Sequence, residues 1–368
     1  MTNQAQSAPG PLPPQGAILL IDKAEGWTSH DVVAKARRAL GTRKVGHAGT
    51  LDPMATGLLV LGAGPATRLL THLVGLDKTY TTTIRLGSAT VTDDREGETL
   101  SIADPAEVAR LAADPARIAA AVAELTGDIE QAPSAVSAIK VDGRRAYDRV
   151  RAGEQVELKK RPVTIHAFEI GEPRPGVAAG PDGEEHPVID VEATVRCSSG
   201  TYIRALARDL GAALGVGGHL TALRRTEVGP FAVAGVTSTE QLVEGRIGAL
   251  AEPTEVATAL FPELVLTAEQ AVDLGHGRRV EVDPAAQPDA KLAAAVAPDG
   301  RLVGLVEVKR GRTRVLTNFP TPDAGPSTDA DPNPTPNPNT TTNPSADTGI
   351  DAAAASGAGE AQGGEGAA

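Results

Sequence analysis

Apolar residues recur along the chain with two periods, about two and about three and a half, and segments of the two kinds alternate, which predicts a mixed α+β fold. Residues 17–22 and 58–61 are short continuous apolar runs of the kind that form buried strands. Residues 78–86, 163–170 and 188–196 are rich in β-branched side chains and predict further strands. Val32, Val33, Ala36 and Leu40 share one face of a helix capped by Thr28 or Ser29, with Lys35, Arg37 and Arg38 largely opposite. Pro65 starts a second helix with Leu69, Leu70 and Leu73 inward. Residues 105–126 read as a helix broken near Asp114 and Pro115, with Val108, Leu111, Ile118, Val122 and Leu125 apolar. Ile203, Leu206, Leu210 and Leu214 stripe another, preceded by Ser198 or Ser199 and ended by Gly215. Past Phe231 the pattern predicts a helix, then an apolar-periodic stretch at 266–277, then strand-like segments at 302–308 and 313–316.

One stretch breaks both periods. Residues 44–57, Lys-Val-Gly-His-Ala-Gly-Thr-Leu-Asp-Pro-Met-Ala-Thr-Gly, hold three glycines and a proline and read as a shaped loop running into the buried strand 58–61. Its one carboxylate, Asp52, lies between Leu51 and Pro53. Such an aspartate either caps its own backbone in a turn or is a reactive group on a rigid scaffold.

Composition changes the picture in three places. The net charge of −12 argues against a nucleic-acid partner until its distribution is considered. Seven of the 47 acids and none of the 35 Lys and Arg fall in 321–368, so the other 320 residues carry 35 basic against 40 acidic groups, or −5. Within 140–161, eight basic residues (Lys140, Arg144, Arg145, Arg149, Arg151, Lys159, Lys160, Arg161) face four acids, a stripe suited either to phosphate binding or to a solvated, ion-paired surface. The single cysteine, Cys197, precludes an internal disulfide and fits a reducing cytoplasm. No run is apolar enough to span a membrane, and residues 1–16 lack the features of a secretory signal and read as a flexible leader. His30, His47, His72, His166, His186, His219 and His276 show no metal-ligand spacing with Cys197, so no metal is expected. Gly62 and Gly64 lack the third glycine of a dinucleotide fingerprint, and no Walker sequence occurs.

The 44–57 loop resembles the signature of the bacterial tRNA pseudouridine-55 synthases, the TruB family, whose catalytic aspartate sits in a Gly-His-x-Gly-x-Leu-Asp-Pro-x-Ala-x-Gly segment. Further segments resemble the family in order over roughly residues 23–231. Lys23-Ala-Glu-Gly is similar to Lys-Pro-x-Gly, with Ala24 in place of proline. Residues 78–80 match Lys-x-Tyr, 87–97 a Gly-x-x-Thr-x-Thr-x-Asp-x-x-Gly loop that closes near bound RNA, and 131–140 a Gln-x-Pro-Pro-x-x-Ser-Ala-x-Lys segment, with Ser134 for the second proline. Residues 197–211 form the second diagnostic stretch, and 219–226 resemble the Leu-Arg-Arg element. A weaker similarity at 266–277 points to a β-rich RNA-binding domain of PUA type.

The resemblance implies a mixed, mainly antiparallel pseudouridine-synthase sheet flanked by helices over 17–235 and a PUA-like domain over 236–320, while composition marks 171–187, with its Pro, Gly and acids, as a surface insertion and 321–368 as a disordered acidic tail. It implies Asp52 as the catalytic group, Arg204 as its partner, and Tyr202 as the acid or base at the uracil C5. Arg204 opposes the dipole of its own helix, so helix stability gives no reason for its presence. His47 is expected to fill the space left by a flipped base, or to steady its loop by a hydrogen bond. Tyr80 is expected to stack on that base, or to be an ordinary strand tyrosine. Leu223 walls the pocket, and Lys23, Lys140 and Arg144 bind RNA. The implied reaction is isomerisation of uridine 55 in the T-arm of tRNA, without cofactor, by a cytoplasmic monomer needing no protein partner. The alternatives are a tRNA-binding or tRNA-folding protein without turnover, and a pseudouridine synthase acting on another RNA.

Overall fold

The computed structural model describes residues 12–134, 140–141, 144–145, 159–181, 183–285 and 287–320. The chain begins with β1 (Ala17–Lys23), α1 (Ser29–Ala39), β2 (Val45–His47), β3 (Thr56–Ala63), α2 (Leu70–Val74) and β4 (Lys78–Leu86). A hairpin of β5 (Ser88–Thr90) and β6 (Thr99–Ile102) leads to α3 (Pro105–Ala112), α4 (Pro115–Glu124) and β7 (Gly127–Gln131). The two-residue strands β8 (Lys140–Val141) and β9 (Arg144–Arg145) pair with each other. Then come β10 (Arg161–Ile170), β11 (Arg174–Ala179), β12 (Glu185–Cys197), α5 (Ile203–Leu214), β13 (Gly218–Val228), β14 (Phe231–Ala232), β15 (Thr237–Ser238), α6 (Thr239–Val243) and α7 (Pro253–Leu260). The described chain ends with β16 (Glu263–Val265), α8 (Ala268–Gly275), β17 (Ala290–Val296), β18 (Leu302–Lys309) and β19 (Arg312–Asn318).

The main sheet has the order β15-β1-β3-β13-β4-β12-β10-β7, with β2 added to β3, β14 to β13 and β11 to β12. Its pairs are antiparallel except β1 with β15 and β3 with β13. A smaller sheet has the order β16-β17-β18-β19. Alternate residues of the inner strands feed different cores, because successive side chains of a strand point to opposite faces. Leu19, Ile21, Leu59 and Leu61 join α1, α3, α4 and α5 in one cluster. Ile18, Leu58 and Val60 join Leu69 and Leu73 with Val256, Ala294, Leu302 and Phe319 from the C-terminal part in another. Burial on both faces is why 58–61 carries no polar alternation.

Local chemistry explains most element ends. Thr28 caps α1 in a reciprocal capping box with Asp31. Asp104 and Asp114 cap α3 and α4, each followed by a proline at the first helical position. Gly215 closes α5 in the left-handed conformation at φ 77°. Ser198 and Ser199 do not cap α5. The Ser198 hydroxyl accepts the Thr164 amide at 2.9 Å and that of Ser199 donates to the Val74 carbonyl at 2.7 Å, so both join neighbouring strands and loops to the helix approach. The N-cap is Tyr202, without a side-chain bond.

Several expectations are revised. Residues 12–16 of the expected leader are packed: Leu12 lies against the main core and the Gln15 amide donates to the Leu302 carbonyl at 2.7 Å. The change of sheet falls between α7 and β16 and not at 235, since Thr237 and Ser238 pair with Ile21 and Asp22 of β1. Much of 171–187 is a hairpin, with β11 paired to the first half of β12. Ala24 uses the amide a proline would lack, donating to the Thr239 hydroxyl at 3.3 Å. The tail 321–368 and most of the basic stripe lie outside the described residues.

Gly57 sits where β1, β3 and β13 meet, at φ +99°, and a Cβ there would come within 2.2 Å of the Arg225 carbonyl oxygen. Gly26 also has a positive φ, +78°, but open space around it. Gly57→Ala is expected to destabilise by about 3 kcal/mol or more, from backbone strain and overpacking together, and Gly26→Ala by about 1 kcal/mol from strain alone. Urea midpoints of the two variants check this, and equal losses would show that the close approach at Gly57 is relieved by movement.

Candidate active site

The loop carrying Asp52 leaves β2 and returns as β3. Its first amide, on Ala48, donates to the Val60 carbonyl at 2.9 Å. Ala55 N–H donates to the Asp52 carbonyl at 3.1 Å, closing a turn with Pro53 at its second position. The Asp52 backbone therefore forms the turn that Asp-Pro predicts, while its carboxylate is directed elsewhere. Ser29 holds the preceding residue both ways, accepting from the Leu51 amide at 2.9 Å and donating to its carbonyl at 3.1 Å. Arg225, 1% exposed, donates to the carbonyls of Leu58 (2.7 Å) and Gly49 (3.0 Å). Lys23, 0% exposed, donates to the carbonyls of Trp27 (2.7 Å), Ala24 (3.0 Å) and Pro53 (3.2 Å). Two buried cations thus brace the loop from both sides.

The Asp52 carboxylate meets Arg204, with Oδ2 3.0 Å from the guanidinium Nε. Arg204 lies in the first turn of α5 and is 7% exposed at its side chain against 38% for Asp52, so the acid opens to solvent while its partner is enclosed. Nη1 of the same guanidinium reaches Oδ2 of Asp94 at 3.3 Å and donates to the Thr92 carbonyl at 2.8 Å. Asp94 is itself buried, and its Oδ1 accepts from the Thr92 hydroxyl and from the Glu96 amide at 3.0 Å. One buried cation therefore spans two carboxylates, one enclosed and one facing the solvent. The charges bring the unfavourable N-terminal placement of Arg204 into balance.

Tyr202 begins the same helix, its amide donating to Gln131 Oε1 at 2.8 Å and its carbonyl accepting from Gln131 Nε2 at 3.1 Å. Burial pushes the Tyr202 phenol above its ordinary value, opposed first by the charge of Arg161 and helped to a smaller extent by that of Asp52. Tyr80 pairs with Arg225 across β4 and β13, and burial raises its phenol too. Leu223, Met54 and Thr56 line a groove of about 630 Å³ that runs past Thr81–Thr83 towards Glu192. The Glu25–Arg95 ion pair borders it. His47 stands at the end of β2, edge-on to His30 with ring centroids 6.0 Å apart. Burial, then the charges of His30 and Arg225, lower the His47 imidazole to about 4. Burial also lowers the ammonium groups of Lys23 and Lys78 to about 8, although Asp52 pulls Lys23 the other way.

Asp52, Arg204, Tyr202, Tyr80, His47, Leu223 and Lys23 are thus gathered around one loop. Lys23 is there as a loop brace whose ammonium faces carbonyls, not as an exposed contact for RNA. Lys140 and Arg144 belong to the β8–β9 pair by backbone, and their side chains lie outside the described residues. Sequence reasoning missed Asp94, Thr92 and Arg225. Within the 87–97 loop, expected to close near bound RNA, Asp94 and Thr92 hold Arg204. Arg225 had a signal, since period-two alternation along β13 puts it on the same side as Leu223. Among the described residues no group of three or more His, Cys, Asp and Glu is placed to hold a metal ion. No helix among them is long and apolar enough to cross a membrane.

Three family models match the chain: TruB family pseudouridylate synthase, N-terminal domain, over residues 37–203; tRNA pseudouridylate synthase B C-terminal domain over 204–273; and tRNA pseudouridine synthase II, C terminal, over 261–320. A tRNA pseudouridine synthase B of Leifsonia xyli subsp. xyli is 56% identical over 303 residues, covering 82% of this chain and 96% of the relative. One from an Arthrobacter species is 54% identical over 307 residues, covering 82% and 96%. The chain belongs to the TruB family of pseudouridylate synthases. Its fold is also that of a chain in the structure of an H/ACA RNP bound to a substrate RNA containing 2'-deoxyuridine, with TM-score 0.58 and 23% identity over 84% of this chain and 87% of that one.

The lowered imidazole of His47 gives a prediction with a definite sign. The unfolded chain takes up this proton near pH 6.5 and the folded chain only near pH 4, so the contribution of His47 to stability is present above pH 6.5 and lost as pH falls towards 4. The His47 ring resonances, followed by NMR, should show no protonation above about pH 5. A midpoint near 6.5 would show that the ring is not desolvated.

Proposed function

We propose that this chain converts uridine to pseudouridine at position 55 in the T-arm of tRNA, with Asp52 as the catalytic carboxylate. The observation that carries the proposal is the 3.0 Å contact of Arg204 with an Asp52 that remains open to solvent on a braced loop. Its relatives named tRNA pseudouridine synthase B support tRNA as the substrate. The reaction breaks the N1–C1′ bond, turns the detached uracil and forms the C5–C1′ bond, and as C5 gives up its proton N1 takes one up. Atoms and electrons balance without an oxidant or energy donor.

Asp52 acts at the ribose or base as an ionised carboxylate, either by attack on carbon or by removal of a ribose proton. Arg204 fixes the carboxylate while its own far side is neutralised by Asp94. Tyr202 serves as the acid or base at C5. Tyr80 and Leu223 bound the flipped uracil, since stacking and apolar contact accept a base without reading every edge. His47, neutral when enclosed, occupies the space the base leaves and recovers part of the unstacking cost. The exposed Lys159, Lys160 and Arg161 at the start of β10 offer charge to the RNA backbone.

Asp52→Asn should bind an unmodified tRNA transcript as the parent does and release no tritium from C5-labelled uridine. Residual turnover within about tenfold of the parent, or about 1.4 kcal/mol of barrier, would remove Asp52 from the chemistry. The position is tested separately by mapping pseudouridine in that transcript with carbodiimide treatment and primer extension. A stop at uridine 55 alone is expected. Modification only of another RNA would favour the broader synthase, and binding without modification a tRNA-folding protein.

A further inference from the structure

Arg208 lies one turn beyond Arg204 on α5 and is not among the residues that touch Asp52. Its Nη2 donates to the Ala132 carbonyl at 2.8 Å, and its Nη1 stands 3.4 Å from both the Pro133 carbonyl and Oδ2 of Asp93. Its Nε donates to the neighbouring Asp209 at 2.9 Å. Asp93 is unusual in two respects. It is buried, and its φ of 58° puts a non-glycine residue in the left-handed region, a conformation that persists only where the surroundings impose it. Asp93 is also flanked in sequence by the two groups that hold Arg204, the Thr92 carbonyl and the Asp94 carboxylate.

We infer that Arg208 is a positioning residue for the reaction: it ties the turn at Asp93 to the Ala132–Pro133 backbone and so fixes the acceptors that aim Arg204 at Asp52. The inference rests on the proposed role of Asp52. The turn has other fastenings, and Asp93 also feels the charge of Arg204, but among the described residues Arg208 is the cation in ion-pair contact with it. The Leu220 amide donates to the Asp93 carbonyl at 3.0 Å, the Thr90 hydroxyl to the Asp94 carbonyl at 2.6 Å, and the Ser134 hydroxyl to the Thr92 carbonyl at 3.2 Å. Ser134 follows directly on the two carbonyls that Arg208 grips, so the guanidinium also sets where that hydroxyl meets Thr92. Without Arg208, a buried carboxylate loses its ion-pair partner in a left-handed turn, and the turn relaxes toward solvent by rotating about Asp93. Both neighbours of Asp93 then move with respect to Arg204, a shift felt at Asp52.

The test compares Arg208→Ala, Arg208→Lys and the double variant Arg208→Ala/Asp93→Asn on an unmodified tRNA transcript, with single-turnover rate, RNA Kd and Tm measured for each. Arg208→Ala is expected to lose about tenfold or more in rate with Kd within about threefold, and Arg208→Lys to recover part of the loss, because an ammonium replaces the charge but not the fork of donors. In the double variant the unpaired carboxylate is gone and asparagine tolerates the left-handed backbone, so Tm should return toward the parent while the rate stays low. A parental rate in Arg208→Ala would overturn the inference. So would a double variant that regains both Tm and rate, since Arg208 would then contribute stability alone. Asp52→Asn is assayed alongside: if it keeps its activity, the role of Asp52 fails instead, whatever Arg208 does.

Discussion

The interaction on which the site depends is the enclosure of a single guanidinium between two carboxylates. Arg204 is drawn into a place where its helix disfavours a cation and where little water reaches it. What keeps it there is Asp94 and the Thr92 carbonyl on one side and Asp52 on the other. Removing one member of such a buried set typically costs about 3–5 kcal/mol, mostly because a charge is left without its counterpart. The asymmetry gives the site its use. Asp94 is sealed and serves as a fixed anchor, whereas Asp52 keeps more than a third of its side chain open to solvent.

The sheet makes this enclosure possible. Asp52 is on the loop between β2 and β3, Arg204 on α5 after β12, and Asp94 in the turn between β5 and β6. These segments are far apart in sequence and are brought together because β3, β13, β4 and β12 lie side by side at the centre of the sheet. Burial of that centre on both faces resists sliding, since a slip of one residue would exchange the two apolar sets. Arg225 and Lys23 extend the same rigidity to the loop by donating to backbone carbonyls. Their burial is tolerated because each donates to several carbonyls, and Lys23 also feels the charge of Asp52.

Much of this was legible in the residues. The apolar run 58–61, the stripe of α5 and the glycine-rich loop were visible as patterns, and Arg204 stood out because it sits at the wrong end of its helix. The elements that were missed lack such patterns. β17 is Ala-Lys-Leu-Ala-Ala-Ala-Val, and alanine favours helix until a sheet on both sides decides otherwise. β7, Gly-Asp-Ile-Glu-Gln, has too few apolar residues to show a period. Asp93 and Asp94 read as ordinary turn acids because their significance lies in a contact with a residue more than a hundred positions away. Lys23 was read as a contact for RNA because nothing local reveals that Pro53 and Trp27 turn their carbonyls towards it.

On the proposed reaction, Arg204 serves chemistry through its geometry and not merely through its charge. Arg204→Lys tests it most directly, with single-turnover pseudouridine formation and RNA Kd measured on one preparation. An ammonium cannot span Asp52, Asp94 and the Thr92 carbonyl with a planar fork, so the rate should fall by about a hundredfold or more, about 2.7 kcal/mol of barrier, while Kd changes by less than about threefold. A lysine variant that turns over at the parental rate would contradict the account.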